Sequence, residues 1–355
     1  MKKIIILLTL FMFMLFLNAC TGVESLQDPE GNNIHIVFMT NSNAMDSNDD
    51  TNMQIKDALK SMESNNGIVT SVVEVKDKES YSSMLKNLSD SEEYDLIITV
   101  GYSTSKILDN IAKDYPDQLF ATIDYISNED NVLSIAFREE ESSFYNGVLA
   151  ALMTQTDIIG CASSFENQNM QYIYGFITGA RAVNPDIEID LEYTGSYTDL
   201  EAGAEVGKKF LDQGADIIYS CAAAPTSSII EFAEKNEMKV INSDIYEYGQ
   251  ISDALFCTTT KQYKSSVEYI VNAAVEIISS KEDDDSRDID TELRYVGIAQ
   301  EAFKFDFSKE IDSSIEDKLK AVDIMFLNSE LVVPNDESTF ANFDTNIFEG
   351  KAFRK

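Results

Sequence analysis

Apolar runs and polar breaks alternate along the chain in a regular order, and one unit of that order occurs twice. Residues 95–124 read DLIITVGYSTSKILDNIAKDYPDQLFATID, and residues 216–244 read DIIYSCAAAPTSSIIEFAEKNEMKVINSD. An offset of 121 residues lays Asp95 on Asp216, Leu108 on Ile229, Ile111 on Phe232 and Ala112 on Ala233. Each copy holds a buried-type apolar run, a turn of small and polar residues, an amphipathic helix and a second apolar run. The second runs close on Asp124 and Asp244. A helix-length crossover between two strands predicts parallel pairing, hence a βαβ unit. Ligands of open parallel sheets lie beyond the carboxyl ends of the strands, where both turns and both aspartates fall. Two such units predict two α/β lobes whose strand ends face one another across a cleft.

The flanking pattern extends this plan. Strands are predicted at Ile34–Met39, Ile68–Val75, up to Phe137, Ile158–Ala162, Ile187–Tyr193, Ala254–Thr260 and Leu293–Ile298. Helices are predicted from the polar stretch 40–54 to Met62, at Ser80–Leu88, Ala202–Gln213 and Ile311–Asn328. Another carries Gly147, Ala150 and Ala151 on one side, and another stops at the Asn184-Pro185 breaker. Tyr263–Ser279 has helical apolar spacing at Val267, Ile270, Val271, Ala274 and Ile277. KEDDDSRDID at 281–290 is a solvated connection, and the tail 335–355 shows no periodicity.

At the N-terminus two lysines precede the apolar run Ile4–Leu17, too short for a comfortable membrane span. Leu17-Asn18-Ala19-Cys20 resembles a bacterial lipobox. It implies a signal at 1–19, lipidation of Cys20 and a polar tether over 20–33. Acyl chains hold a domain at a membrane by about 0.8 kcal/mol per buried CH₂.

Charge narrows the partners. The chain has 27 basic and 62 acidic residues, a formal net charge of −35, and loses two more cations with the signal. Such a surface repels nucleic acid and phosphate-rich ligands, and no local Lys/Arg cluster reverses the field. Chemistry is equally constrained. His35 is the single histidine and sits at the start of a strand, so Ser-His-Asp and Cys-His devices have no base. Cys161, Cys221 and Cys257 form no CxxC pair and read as buried thiols. No His/Cys/carboxylate spacing suits a metal. Asp46, Asn48 and Asp50 mimic a calcium loop, but Thr51 and Asp57 stand where its glycine and bidentate glutamate belong. GAEVGKK at 203–209 is too short for a phosphate loop. The expectation is a binding protein, with no enzymatic activity, cofactor or metal.

Several long blocks carry a family likeness: YDLIITVGYSTSKILDNIAKDYPDQLFATID, AFREEESSFYNGVLAALMT, YGFITGARAVNPDIEIDLEYTGSYTD and FLDQGADII. In this order they resemble the basic-membrane-protein family of substrate-binding lipoproteins, whose characterised members capture purine nucleosides for ABC transporters. The likeness runs from Ile34 to Pro334. It implies a type I periplasmic-binding fold: two three-layer α/β lobes with hinge crossings near Phe137–Arg138, Asn242–Ser243 and Leu293–Val296. The lobes would be 34–137 plus 243–292, and 138–242 plus 293–334.

The resemblance also implies a site. The loop after the first strand, with Asn41, Ser42, Asp46, Asp50 and Asn52, would meet the base edge; it matches the family's acidic-amide pattern at Asp49–Gln54, with Met53 in place of the aromatic. Tyr102 and Ser103 match the family's V-G-F-S turn, and Asp124 its following aspartate. Asn242, Ser243 and Asp244 stand where the family has D-S-D, and Lys261 matches a lysine after the next strand. Ala223 lies in the AAAP turn that replaces a glycine-rich one. Tyr102 and Phe165 would stack on a planar base, carboxylates would accept sugar hydroxyls, and Lys261 would keep neighbouring carboxylates charged. The implied protein is a lipid-anchored monomer at the bacterial cell membrane that delivers a nucleoside-like solute to an ABC permease. A sensor presenting its closed form to a receptor, or a binder of another small polar solute, would share the fold.

Overall fold

The computed structural model describes residues 33–41, 49–63, 67–243, 252–280, 294–348 and 353. From the N-terminus, β1 (Ile34–Asn41), α1 (Asp49–Met62), β2 (Ile68–Val75), α2 (Lys78–Ser91) and β3 (Leu96–Val100) alternate strand with helix. They are followed by α3 (Ser105–Asp114), β4 (Leu119–Ile123) and β5 (Val132–Phe137). All five residues of β3 and of β4 are buried. A strand covered by helices on both faces reads as a near-continuous apolar run. The chain then crosses into a second set: α4 (Glu139–Met153), β6 (Ile158–Ser163), α5 (Met170–Val183), β7 (Glu188–Tyr193) and α6 (Leu200–Gln213). β8 (Ile217–Cys221), α7 (Thr226–Lys235), β9 (Lys239–Ser243) and β10 (Leu255–Lys261) continue it. The remaining elements are α8 (Tyr263–Ser280), β11 (Tyr295–Val296), β12 (Phe303–Phe307), α9 (Ser313–Leu327) and the short α10 (Glu337–Ala341).

Two sheets of matching order result, β11-β5-β4-β3-β1-β2 and β12-β10-β9-β8-β6-β7. The fold is therefore the two-lobed α/β arrangement expected. The repeated unit is β3-α3-β4 in one lobe and β8-α7-β9 in the other, each with parallel pairing. Its aspartates anchor equivalent strand starts. Asp95 accepts from the His35 backbone N–H at 2.8 Å, and Asp216 from the Gln155 N–H at 2.7 Å and the Thr154 hydroxyl at 2.6 Å.

Three expectations are corrected. The second crossing does not fall at Asn242–Ser243: β10 pairs in parallel with β9, so the chain leaves the second sheet only after Lys261. The reason is the repeat itself, since β10 completes its sheet beside β9 as β5 does beside β4. The third region contains a strand that was not expected, β12, antiparallel to β10. It alternates half-buried Phe303, Phe305 and Phe307 with exposed Lys304 and Asp306, the mark of a one-sided edge strand. Finally, the described part of the tail, which shows no periodicity in sequence, is packed: Phe348 is buried in the second core, and Phe340 stacks on Tyr174 at 4.6 Å. The three cysteines are free and buried.

Helix α8, from beyond the second crossing, returns to cover the first lobe, where Val267, Ile270, Val271 and Ala274 join Ile36, Phe38 and Ile98. In the second lobe α4 is buried on nearly all sides. It docks on the sheet through Asn146, whose amide donates to Thr259 at 2.9 Å, and through the 2.7 Å Ser143–Tyr219 hydroxyl pair. Against α5 it meets backbone to backbone. A Cβ on Gly147 would stand 2.1 Å from the Phe176 carbonyl oxygen, and one on Gly179 would stand 2.1 Å from that of Phe144. No rotamer change relieves a clash with backbone. We expect Gly179→Ala to destabilise the protein by about 2–3 kcal/mol in urea unfolding, whereas Glu205→Gln at an exposed position of α6 moves it by less than about 0.5 kcal/mol.

Candidate ligand cleft

The carboxyl ends of both sheets open on a cleft of ≈ 940 Å³. From the first lobe it is lined by Tyr102, Asp124 and Tyr125, which follow β3 and β4. The second lobe contributes Gln168, Asn169 and Tyr172 around the start of α5, then Tyr197, Ala223 and Ser243. Local backbone explains the first set. Gly101 at φ 89° turns the chain out of β3 so that Tyr102 stands 67% exposed. Asp124, at φ 69°, is held in the left-handed region at the end of β4.

Lys261 holds Asp124 there. Its ammonium donates to both Asp124 oxygens, at 3.0 and 3.1 Å, and to Glu139 Oε1 at 2.9 Å. All three side chains are largely buried, Lys261 to 10% exposure. Asp124 belongs to the first lobe, Glu139 opens α4 of the second, and Lys261 stands at the second crossing. One ammonium thus ties both lobes at the foot of the cleft. Its Nζ also lies 5.2 Å from the ring centre of Phe137, whose ring meets Tyr263 edge-on at 5.2 Å and Phe303 at 5.9 Å. Those aromatics come from the first, second and third crossings, so the three connections share one packed centre.

The first turn of α4 adds two more carboxylates. Glu141 accepts the Ile298 backbone N–H at 2.8 Å, fixing the third connection. Gly297 makes room for it, because a Cβ there would sit 2.1 Å from Glu141 Oε2. Burial raises the Glu141 pKa against that bond and the nearby Arg138. Glu140 lines the cleft at 6% exposure. Burial pushes its carboxyl up to about 7, the adjacent Glu141 charge adds to this, and Arg138 and Asn335 oppose it.

On the first-lobe wall Tyr125 donates to Asp109 of α3 at 2.6 Å, and Ser127 donates to the other Asp109 oxygen at 2.6 Å. The bond to Asp109, with burial behind it, pushes the Tyr125 phenol up to about 12. Tyr125 and Tyr102 meet edge-on at 6.0 Å, giving the wall two fixed aromatic rings.

Of the expected site residues, Tyr102, Asp124, Ala223 and Lys261 are brought to the cleft. Others lie elsewhere. Asn52 is buried in α1 and accepts from Thr40 of β1. Asn242 is buried within β9, and its neighbour Ser243 takes the cleft position, as strand alternation requires. Phe165 is one ring removed, packing edge-on against cleft-lining Tyr197 at 4.9 Å. Ser103 sits in the turn with Tyr102 without lining the cleft. Asn41 ends β1 and Asp50 lies in the first turn of α1. Ser42, Asp46, Asp244, Cys20 and the signal lie outside the described residues. Sequence reading passed over Tyr125, Glu139 and Glu140. Tyr125 directly follows Asp124 at a strand's carboxyl end, and the glutamates directly follow the first crossing, so position was the available signal.

Two α/β lobes joined by three connections, with a polar and aromatic cleft at the strand ends, define a solute-binding protein. The chain belongs to the Bmp family, described as PnrA-like ABC transporter substrate-binding proteins, whose model matches residues 34–337. Basic membrane protein A of Borreliella burgdorferi is 28% identical over 270 residues, 74% of this chain and 78% of that protein. The ABC transporter nucleoside-binding protein BmpA of Lactococcus lactis is 28% identical over 167 residues, 46% of each chain. The crystal structure of ABC transporter system solute-binding proteins from Aeropyrum pernix aligns with a TM-score of 0.63 at 18% identity, covering 87% of this chain and 95% of that one. The protein is thus a substrate-binding component of an ABC transporter, an extracytoplasmic partner of a membrane permease that takes a small-molecule ligand. Among the described residues no helix is long and apolar enough to cross a membrane.

Two outcomes follow from this geometry. Lys261→Met leaves Asp124 and Glu139 buried without their cation, and we expect a loss of about 3 kcal/mol in chemical unfolding. Glu140 gives a pH dependence with a definite sign. Its proton is held in the folded state, up to about pH 7, but is lost near pH 4.5 on unfolding, so the stability it contributes is complete below 4.5 and lost as pH rises through 7. The melting temperature of Glu140→Gln should therefore gain on that of the native chain between pH 5 and pH 8.

Proposed function

We propose that the chain is anchored through lipidated Cys20 and captures a neutral nucleoside-like solute, a purine nucleoside by preference, for import. The observation that carries this reading is the Asp124–Lys261–Glu139 cluster at the foot of a cleft walled by Tyr102 and Tyr125. Two carboxylates sharing one ammonium leave oxygen lone pairs for the hydroxyls of a sugar. The tyrosine rings offer faces to a planar base. The family-like loop has Met53 where an aromatic is usual, and Tyr125 supplies a ring on the same lobe. A phosphate would meet Asp124 and Glu139 with the ammonium already engaged, so the cleft favours an uncharged solute. Closure of the lobes then follows from contacts that both walls make only when together, without chemistry.

The test is native mass spectrometry of the mature chain, followed by calorimetry with adenosine, guanosine and inosine, their 5′-monophosphates and ribose. A nucleoside should bind, its monophosphate should bind at least about 100-fold more weakly, and Asp124→Asn should weaken the nucleoside by about 10–100-fold. Absence of any nucleoside complex, with no thermal shift, overturns the ligand assignment. Incorporation of labelled palmitate that is abolished by Cys20→Ser checks the anchor.

A further inference from the structure

Three consecutive carboxylates open α4, and the structure distributes their partners unequally. Glu139 takes the Lys261 ammonium at 2.9 Å, and Glu141 takes a backbone N–H at 2.8 Å. Glu140, between them, has no close ion pair: Arg138 approaches to 3.9 Å while standing 3.8 Å from Glu141 and over the Tyr295 ring at 5.4 Å, and the other groups on its carboxyl are neutral donors, its own backbone N–H and the Asn335 amide. Among the described residues no other cation is paired with Glu140. Lys261 reaches this turn through Glu139 and is shared with Asp124. From α5 and the tail, Tyr172 and Asn335 line the same wall, and Asp336 beside them is exposed and caps α10. Gly175 of α5 packs against the Glu140 carbonyl, where a Cβ would stand 2.3 Å away, so the turn cannot move outward towards water. A buried carboxyl in a ligand cleft, with its neighbours' partners already assigned, satisfies its environment best as a neutral hydroxyl-bearing acid.

We propose that Glu140 is a specificity-determining residue of the cleft, donating a hydrogen bond in its protonated form to an acceptor atom of the ligand, so that capture of the solute is coupled to one proton. The acceptor is a carbonyl oxygen or an unprotonated ring nitrogen, the atoms a purine edge presents; this rests on the nucleoside reading above. The carboxyl's midpoint, at about 7 in the empty protein, sets where the coupling is felt. Ligand binding holds the proton and raises that midpoint, so binding takes up protons around neutrality and affinity falls above it. A solute with only donor groups at that position leaves the acid with nothing to donate to and is rejected.

The experiment is calorimetry with inosine and with adenosine from pH 6 to pH 9, in buffers of different ionisation enthalpy, on the native mature chain and on Glu140→Gln. The native Kd for the tighter nucleoside should rise about fivefold between pH 7 and pH 8 and approach tenfold per further unit, with net proton uptake near pH 7. Glu140→Gln, a donor that cannot ionise, should show no such slope and should exceed native affinity at pH 8.5. A flat native profile without proton uptake overturns the proposal, as does a Glu140→Gln profile that keeps the native slope. A ¹³C-carboxyl NMR titration of the empty protein, assigned by the same variant, separates the two readings. If no nucleoside binds, the proposed function fails, and a Glu140 midpoint in the ordinary carboxylate range then removes the proton-coupled donor too. A midpoint near 7 in that case keeps Glu140 as the donor for a different solute.

Discussion

The molecule depends most on where the Lys261 ammonium sits. It occupies the point where the chain leaves the second sheet, and it binds a carboxylate from each lobe. A surface ion pair of this kind would be worth little. This one is largely buried and backed by the Phe137 ring, so its partners have no ready exchange with water. The left-handed backbone at Asp124, the start of α4 and the aromatic contact among the three connections all meet at it. Hinge and ligand wall are consequently the same group of atoms. Under the proposed function, a solute hydroxyl joining the cluster would touch the connections between the lobes.

Much of the fold was legible because a parallel sheet covered on both faces leaves continuous apolar runs. β2 was read at its full extent, and the repeated unit led directly to two lobes. Where the reading failed, the physics was different. β12 is five residues long and half-buried, so its signal is alternation rather than a run, and it fell between a connection and a helix. The second crossing, carried over from the family likeness to Asn242–Ser243, lies one strand too early. The first lobe already contained the correction, since β5 follows its own copy of the unit.

The site was less legible than the fold. Tyr102, Asp124, Ala223 and Lys261 were reachable because each ends a strand or follows one directly. Asn242 was one residue off, and in a strand a single residue reverses the face. Glu140 carries no pattern of its own. In a chain with 62 acidic residues, nothing along the sequence separates a buried carboxyl from a solvated one. That distinction arises only when α5 packs against α4 with glycines at the contact and closes the wall behind it.

The path of the chain through the lobes has a consequence for export. Strands β1 to β5 of the first sheet are complete by residue 137, yet one of the helices on their face is made of residues 263–280 and the edge strand beside β5 of residues 295 and 296. The second sheet likewise waits for β12 at 303–307. A chain threaded N-terminus first across a membrane therefore emerges with an apolar sheet face that α1 covers only in part. Neither lobe can close its core until residues 263–307 have followed, so burial is completed only on the far side.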